Sequence, residues 1–147
     1  MKWRLYLLLL LLSGVWCSLL TGFPWLVRFG DARLAAAVSL FCSAICHQDP
    51  MRSFRLLGVT LPVCSRCIAV YLGAFCGILV FPLARNLTDL FSKIPYLIGI
   101  STVLLGLDVA VDVAGFWHNT FSSRSISGGF LGLTYSLGLL VLVGRLR

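Results

Sequence analysis

The stretch IAVYLGAFCGILVFPL, residues 68–83, carries no charged side chain and approaches the roughly 20 apolar residues that cross the hydrocarbon of a bilayer. Three other stretches share this character, and they cover residues 5–23, 94–116 and 126–143. Hydrophobic residues make up 59% of the 147 and charged residues 12%, about half of the charged share in a soluble domain. The sequence therefore predicts an all-α, multi-pass membrane bundle of about four transmembrane helices, which forms one domain over residues 1–147.

The first apolar stretch follows Lys2 and Arg4, so it also has the basic head of a secretory signal peptide. Bulky Trp16 stands directly before Cys17, where a cleavage site or a lipoprotein cysteine requires small neighbours. We therefore expect residues 5–23 to remain in the protein as an uncleaved signal anchor.

A long loop separates the first two transmembrane stretches and contains a shorter apolar segment, LAAAVSLFCSAICH, at residues 34–47. This segment is too short to cross a bilayer as a helix. It is therefore predicted to be an interfacial or re-entrant helix.

The formal net charge is +7, but the basic residues are scattered at the ends of the apolar stretches. They form no basic face or run, which is what nucleic-acid binding requires. Such a distribution is typical of loops that flank membrane helices. We therefore expect the lipid bilayer to be the partner, and no nucleic acid.

Cysteine and histidine cluster just before residues 68–83. Cys64 and Cys67 form a C-x-x-C, a spacing that lets two thiolates bind one metal ion or close as a disulfide. Cys46 offers a third sulfur. The fourth ligand is either His47, although adjacent residues rarely bind one ion comfortably, or Cys42, which shares a helix face with Cys46. Because thiolates favour soft ions, the sequence predicts a site for zinc or, second, iron.

Other chemistries remain open for the same cysteines. A membrane thiol-disulfide oxidoreductase would use Cys64 and Cys67, with Arg66 lowering a thiol pKa, a loop cysteine relaying electrons and a quinone receiving them. The segment CSAICH differs by one residue from the C-x-x-C-H of covalent haem attachment. Simple packing of small apolar side chains is a further interpretation. The sequence therefore does not decide whether the protein is an enzyme.

Two carboxylates lie within the third apolar stretch. Asp108 and Asp112 are four residues apart, so both project from one face of a helix. Carboxylates at such depth need partners, and Arg124 is the first candidate, with Arg66 second. A small-solute or ion transporter is a third functional hypothesis, and it depends on these two carboxylates alone.

In a four-helix bundle, the first and third connections between spans emerge on the same side. Polar residues near these connections are therefore expected to form a pocket beside the cysteines, for an anionic or lipid-headgroup ligand. Tyr71 could instead belong to an aromatic belt at the membrane surface. The predicted lining is Gln48, Arg52, Ser53, Arg66, Tyr71, Asp108 and Arg124.

The motifs CHQDPMRS and CSRCIAVYLG, followed by Asp108 and RSISGG, resemble an uncharacterised family of bacterial and archaeal membrane proteins, domain of unknown function 2085. The family pattern is Cys-His-Gln-x-Pro-x-Arg-Ser with Cys-x-Arg-Cys-x-Gly-x-Tyr-x-Gly, and Ala69 stands at its first glycine. The resemblance implies a prokaryotic cytoplasmic membrane, supports Asp108 and Arg124, and favours His47 over Cys42 as a ligand. The motif residues that it carries over are Cys46, His47, Gln48, Pro50, Arg52, Ser53, Cys64, Arg66, Cys67, Tyr71 and Gly73.

Overall fold

Four long apolar helices dominate the computed structural model, which describes residues 3–84, 88–116 and 118–145. They are α1 (Trp3–Phe29), α3 (Ser65–Ala84), α4 (Thr88–Val113) and α5 (Phe121–Arg145), and a shorter helix, α2 (Ala32–Ser43), follows the first. Each long helix contains a window long and apolar enough to cross a bilayer. The prediction of an all-α membrane bundle with about four spans is confirmed.

Prolines account for part of the difference between predicted and observed helix ends. The first span was expected to end at Phe23, but α1 continues through Pro24, which is buried within the helix, to Phe29. Membrane helices tolerate such prolines because neighbouring groups satisfy the freed carbonyl.

The third span begins earlier than expected and ends at Val113, since Gly115 adopts φ of 72°, the left-handed conformation that commonly terminates helices.

The loop that carries the first motif has its own structure. Asp31 caps α2 by accepting a hydrogen bond from the Arg33 N–H. The predicted short helix is thus present, but it ends at Ser43 instead of residue 47. A 3₁₀ turn at Pro50–Arg52 follows, and then an antiparallel hairpin of β1 (Arg55–Leu56) and β2 (Val59–Thr60), which the sequence did not predict.

The closest helix pair is α3 with α5. A Cβ atom added at Gly73 or Gly132 would overlap the backbone of the opposite helix, so only glycine permits this approach. A buried apolar cluster lies at the end of the bundle where α3 begins. There Leu20 of α1, Val38 of α2 and Ile68 of α3 pack with Val63 of the loop. This packing fixes the loop against the start of α3.

Candidate metal centre and the adjoining charged residues

Three sulfur atoms meet where the loop joins α3. The Sγ atoms of Cys46, Cys64 and Cys67 all lie within 4.8 Å of one another. Cys46 follows the end of α2, Cys64 immediately precedes α3, and Cys67 lies in the first turn of α3. We call these three residues the thiol cluster. Two segments that are distant in sequence therefore supply one group of soft ligand atoms.

Gln48 holds the two segments together. Its backbone has φ of 50°, and its side-chain amide nitrogen donates to the carbonyl oxygens of Ser39 at 2.8 Å and Pro62 at 3.0 Å. The N–H of Cys64 also donates to the sulfur of Cys46 at 3.2 Å. These contacts position Cys46 over the C-x-x-C.

The start of α3 favours a thiolate at Cys64. The Cys67 thiol donates a hydrogen bond to the Cys64 sulfur, and the backbone N–H groups of Cys67 and Arg66 also donate to it. Together these donors outweigh the effect of burial and lower the pKa of Cys64 to about 5. Cys64 therefore supplies the ionised sulfur that both metal binding and nucleophilic attack require.

The two candidates for a fourth ligand lie outside the thiol cluster. His47 is exposed, whereas its neighbour Cys46 is buried, and the chain at these two residues is not helical. Cys42 is fully buried in the apolar cluster, and burial raises the pKa of its thiol. The structure thus brings together three of the four expected ligands and leaves His47 at the surface.

The expected carboxylate–arginine pairing is present, with each carboxylate on a different arginine. Asp108 accepts from the Arg66 guanidinium and from the hydroxyls of Ser123 and Ser127. Sequence reasoning missed Ser123 as a partner. Its spacing could have indicated this role, because Ser123 lies four residues before Ser127 and therefore on the same face of α5.

Asp112 joins the loop to α5. Its Oδ2 lies 3.0 Å from Arg124 Nη2 and 3.4 Å from Arg52 Nη1, and its Oδ1 accepts from the Asn119 N–H at 3.2 Å. Arg52 also contacts Asp49, at 3.1 Å. The 3₁₀ turn is therefore connected to both α4 and α5 through one carboxylate.

The remaining residues of the predicted pocket make other contacts. Ser53 is buried and donates to the carbonyl oxygen of Asp49, and Tyr71 packs edge-on against Trp16 with ring centroids 5.8 Å apart. A cavity of about 340 Å³ lies instead between the 3₁₀ turn and the facing ends of α4 and α5. Its lining is Met51, Arg52, Asp112, His118, Asn119, Phe121 and Arg124.

Comparison with known proteins links the chain to membrane proteins. The sequence profile of the family described as "Predicted membrane protein (DUF2085)" matches residues 46–137, more than half of the chain. An uncharacterised protein of Methanocaldococcus jannaschii is 36% identical over 95 residues, which are 63% of this chain and 59% of the relative. An uncharacterised protein of Methanothermobacter thermautotrophicus is 58% identical over 31 residues, 21% of this chain and 28% of the relative. The chain thus spans less than two thirds of either relative, and no solved structure matches it.

Proposed function

The chain belongs to the DUF2085 family of predicted membrane proteins, and we propose that it carries a metal ion on the sulfur atoms of Cys46, Cys64 and Cys67. Zinc is the favoured ion and iron the second. The observation that carries the proposal is the approach of three thiols, from two separate segments, to within 4.8 Å of one another. The archaeal relatives support a place in a prokaryotic cytoplasmic membrane.

The dimensions of the thiol cluster fit a thiolate-bound ion. A zinc–sulfur bond of about 2.3 Å in tetrahedral geometry sets the sulfur atoms about 3.8 Å apart. The thiols would close by about 1 Å at most to reach this arrangement, a movement that side-chain rotation supplies. The buried positions around Val63 would exclude water from one side of the ion.

Three protein thiolates leave a fourth coordination position. His47 fills it if its exposed side chain turns back beside Cys46, and the result is a closed, structural site that fastens the loop to α3. Cys42 would close the site in the same way from the buried side. If neither residue binds, the position is open to water or a substrate, as in catalytic metal sites.

The proposed function also includes a pocket for an anionic ligand, lined by the neighbouring arginine and aspartate side chains.

Elemental analysis tests the metal proposal. We expect about one zinc or iron ion per chain in protein purified in detergent without chelators, and none in Cys64→Ser, Cys67→Ser. The control is Cys76→Ser, which removes an exposed thiol from the same helix and should retain the metal. Metal-free wild-type protein, or equal metal in the double variant with unchanged helical circular dichroism, would reject the proposal.

A second candidate function is thiol-disulfide exchange, which the placement of Cys64 at the start of α3, one turn before Cys67, favours. The Cys64 thiolate would attack a substrate disulfide, form a mixed disulfide and release one substrate thiolate. Cys67 would then lose its proton, attack the Cys64 sulfur and release the second thiolate. The dithiol is oxidised to a disulfide, and the substrate gains two electrons. In the opposite direction the Cys64–Cys67 disulfide would oxidise a substrate dithiol and become a dithiol itself. A membrane quinone would then oxidise this dithiol back to the disulfide and become a quinol by accepting two electrons and two protons.

Trapping separates this candidate from the metal centre. With oxidised glutathione, Cys67→Ser should accumulate a mixed disulfide on Cys64, because the resolving thiol is missing, whereas Cys64→Ser should not. Intact mass measurement identifies the adduct. Equal labelling of the two variants would rule out this exchange. No such observation favours a transporter, since Asp108 and Asp112 are both paired with arginines.

A further inference from the structure

The cavity between the 3₁₀ turn and the ends of α4 and α5 lies at the membrane boundary of the bundle. Val113 ends one span and Phe121 begins the next, and the cavity residues occupy the connection between them. Its volume of about 340 Å³ is at the small end of the range of ligand sites. Both lipid phosphates and dissolved anions can reach a membrane protein at this depth.

The lining of the cavity has an excess of positive charge. Two guanidinium groups, of Arg52 and Arg124, face one carboxylate, of Asp112. This carboxylate already accepts hydrogen bonds from Arg124 and from the Asn119 N–H, and it lies 3.4 Å from Arg52. His118 is the other titratable group on the lining, and Asp49, outside the lining, lies 3.1 Å from Arg52.

Arg124 has a donor to spare. The residue is only 7% exposed, and its buried Nε has no hydrogen-bond partner among the described residues. A buried guanidinium N–H without an acceptor is costly, and an anion oxygen would satisfy it. Phe121, the first residue of α5, also lines the cavity, so the positive end of that helix dipole lies beside it.

We propose that this cavity binds a phosphate group between Arg52 and Arg124. The inference deepens the anion pocket of the proposed function and rests on it, but it does not need the metal ion. Guanidinium groups recognise phosphate oxygens through paired, charge-assisted hydrogen bonds, and an arginine pair with one unpartnered N–H is suited to this geometry. The phosphate is either a lipid headgroup or a free ion.

Binding of two probes to detergent-purified protein in phosphate-free buffer tests the proposal. The probes are inorganic phosphate, followed by calorimetry, and phosphatidylglycerol, counted per chain by native mass spectrometry. We expect one of them to bind at about one per chain. Arg52→Gln should weaken this binding about tenfold, the usual effect of losing one charge-assisted hydrogen bond, and Arg124→Gln should weaken it at least as much.

The control is Arg33→Gln, which removes the same charge from an exposed residue of α2 outside the cavity and should leave binding unchanged. Arg52 is half-exposed, so its variant remains informative if the buried Arg124 variant does not fold. Binding of phosphate alone identifies a soluble ligand, and binding of the lipid alone a headgroup. No binding of either probe, or equal weakening in Arg33→Gln, would overturn the proposal. Metal content measured on the same samples separates this failure from failure of the metal centre.

Discussion

At the scale of single residues, two carboxylates of α4 each meet a different arginine, Asp108 with Arg66 and Asp112 with Arg124. Pairing of these aspartates with arginines is expected from the sequence, because an isolated charge within the bilayer is costly. The rotation of each helix about its axis decides which arginine meets which aspartate, and residue spacing along one helix does not specify that rotation. The surface position of His47 could not be read from its place beside Cys46, because the chain between α2 and the 3₁₀ turn has no repeating geometry that fixes the direction of each side chain.

Asp112→Asn should destabilise the protein strongly. The change leaves the buried Arg124 guanidinium without its carboxylate, and loss of one partner of a buried ion pair is strongly destabilising. The matched control is Asp49→Asn, because the Asp49 carboxylate is half-exposed and pairs with Arg52, and this change should cost about 1 kcal/mol or less. The free energy of unfolding of the two variants is compared in detergent. Equal decreases would mean that the pair of Asp112 with Arg124 is not structurally important.

Ser123→Ala tests the hydrogen bond that sequence reasoning missed. The change removes a donor to the partly buried Asp108 carboxylate and should lower the free energy of unfolding by about 1–3 kcal/mol. Ser122→Ala alters an exposed hydroxyl one position earlier and should change it by about 0.5 kcal/mol or less. If the two variants unfold alike, Ser123 does not support Asp108.

At the scale of elements, the four long helices followed from run length and the absence of charge. The hairpin did not, because strands of two residues each give no alternating pattern that could be distinguished from a loop. The extension of α1 beyond Phe23 was also missed, since Pro24 signals a helix end in water but is accommodated in a membrane helix. Local patterns thus identified the spans, while neighbouring elements determined where they end.

The contact between α3 and α5 gives a prediction at this scale. Gly132→Ala introduces a methyl group against the backbone at Val70, and overpacking of this kind costs about 1–3 kcal/mol. Gly106→Ala, in the middle of α4, meets nothing within 4 Å and should be neutral or slightly stabilising. Thermal unfolding in detergent compares the two, and an unchanged melting temperature for Gly132→Ala would indicate looser packing than the structure has.

At the scale of the whole molecule, helix direction alone predicted that the first and third connections lie on one side. The structure places Arg52 of the first connection against Asp112 at the end of α4, in agreement with that expectation. The alternating direction of the helices does not predict the path of residues 44–64. That path depends on hydrogen bonds such as those of Gln48.

Removal of the proposed metal should loosen the loop without unfolding the bundle. Cys46 is joined to α3 through the ion in that proposal, so a chelator should increase amide exchange in residues 44–64, while α5 keeps its protection. Hydrogen exchange with mass spectrometry gives both regions in one experiment. The Cys64→Ser, Cys67→Ser protein is the control and should not respond to the chelator. Equal acceleration in α5 would point to global unfolding instead.

The order of the ligands along the chain has a consequence for biosynthesis. All three residues of the thiol cluster lie before residue 68, whereas Asp108, Asp112 and Arg124 belong to the second half of the polypeptide. During translation the sulfur atoms are therefore complete before the charged residues of α4 and α5 have been made. An ion captured at that stage would organise the emerging loop first, and the last two helices would dock onto a surface already shaped to receive them.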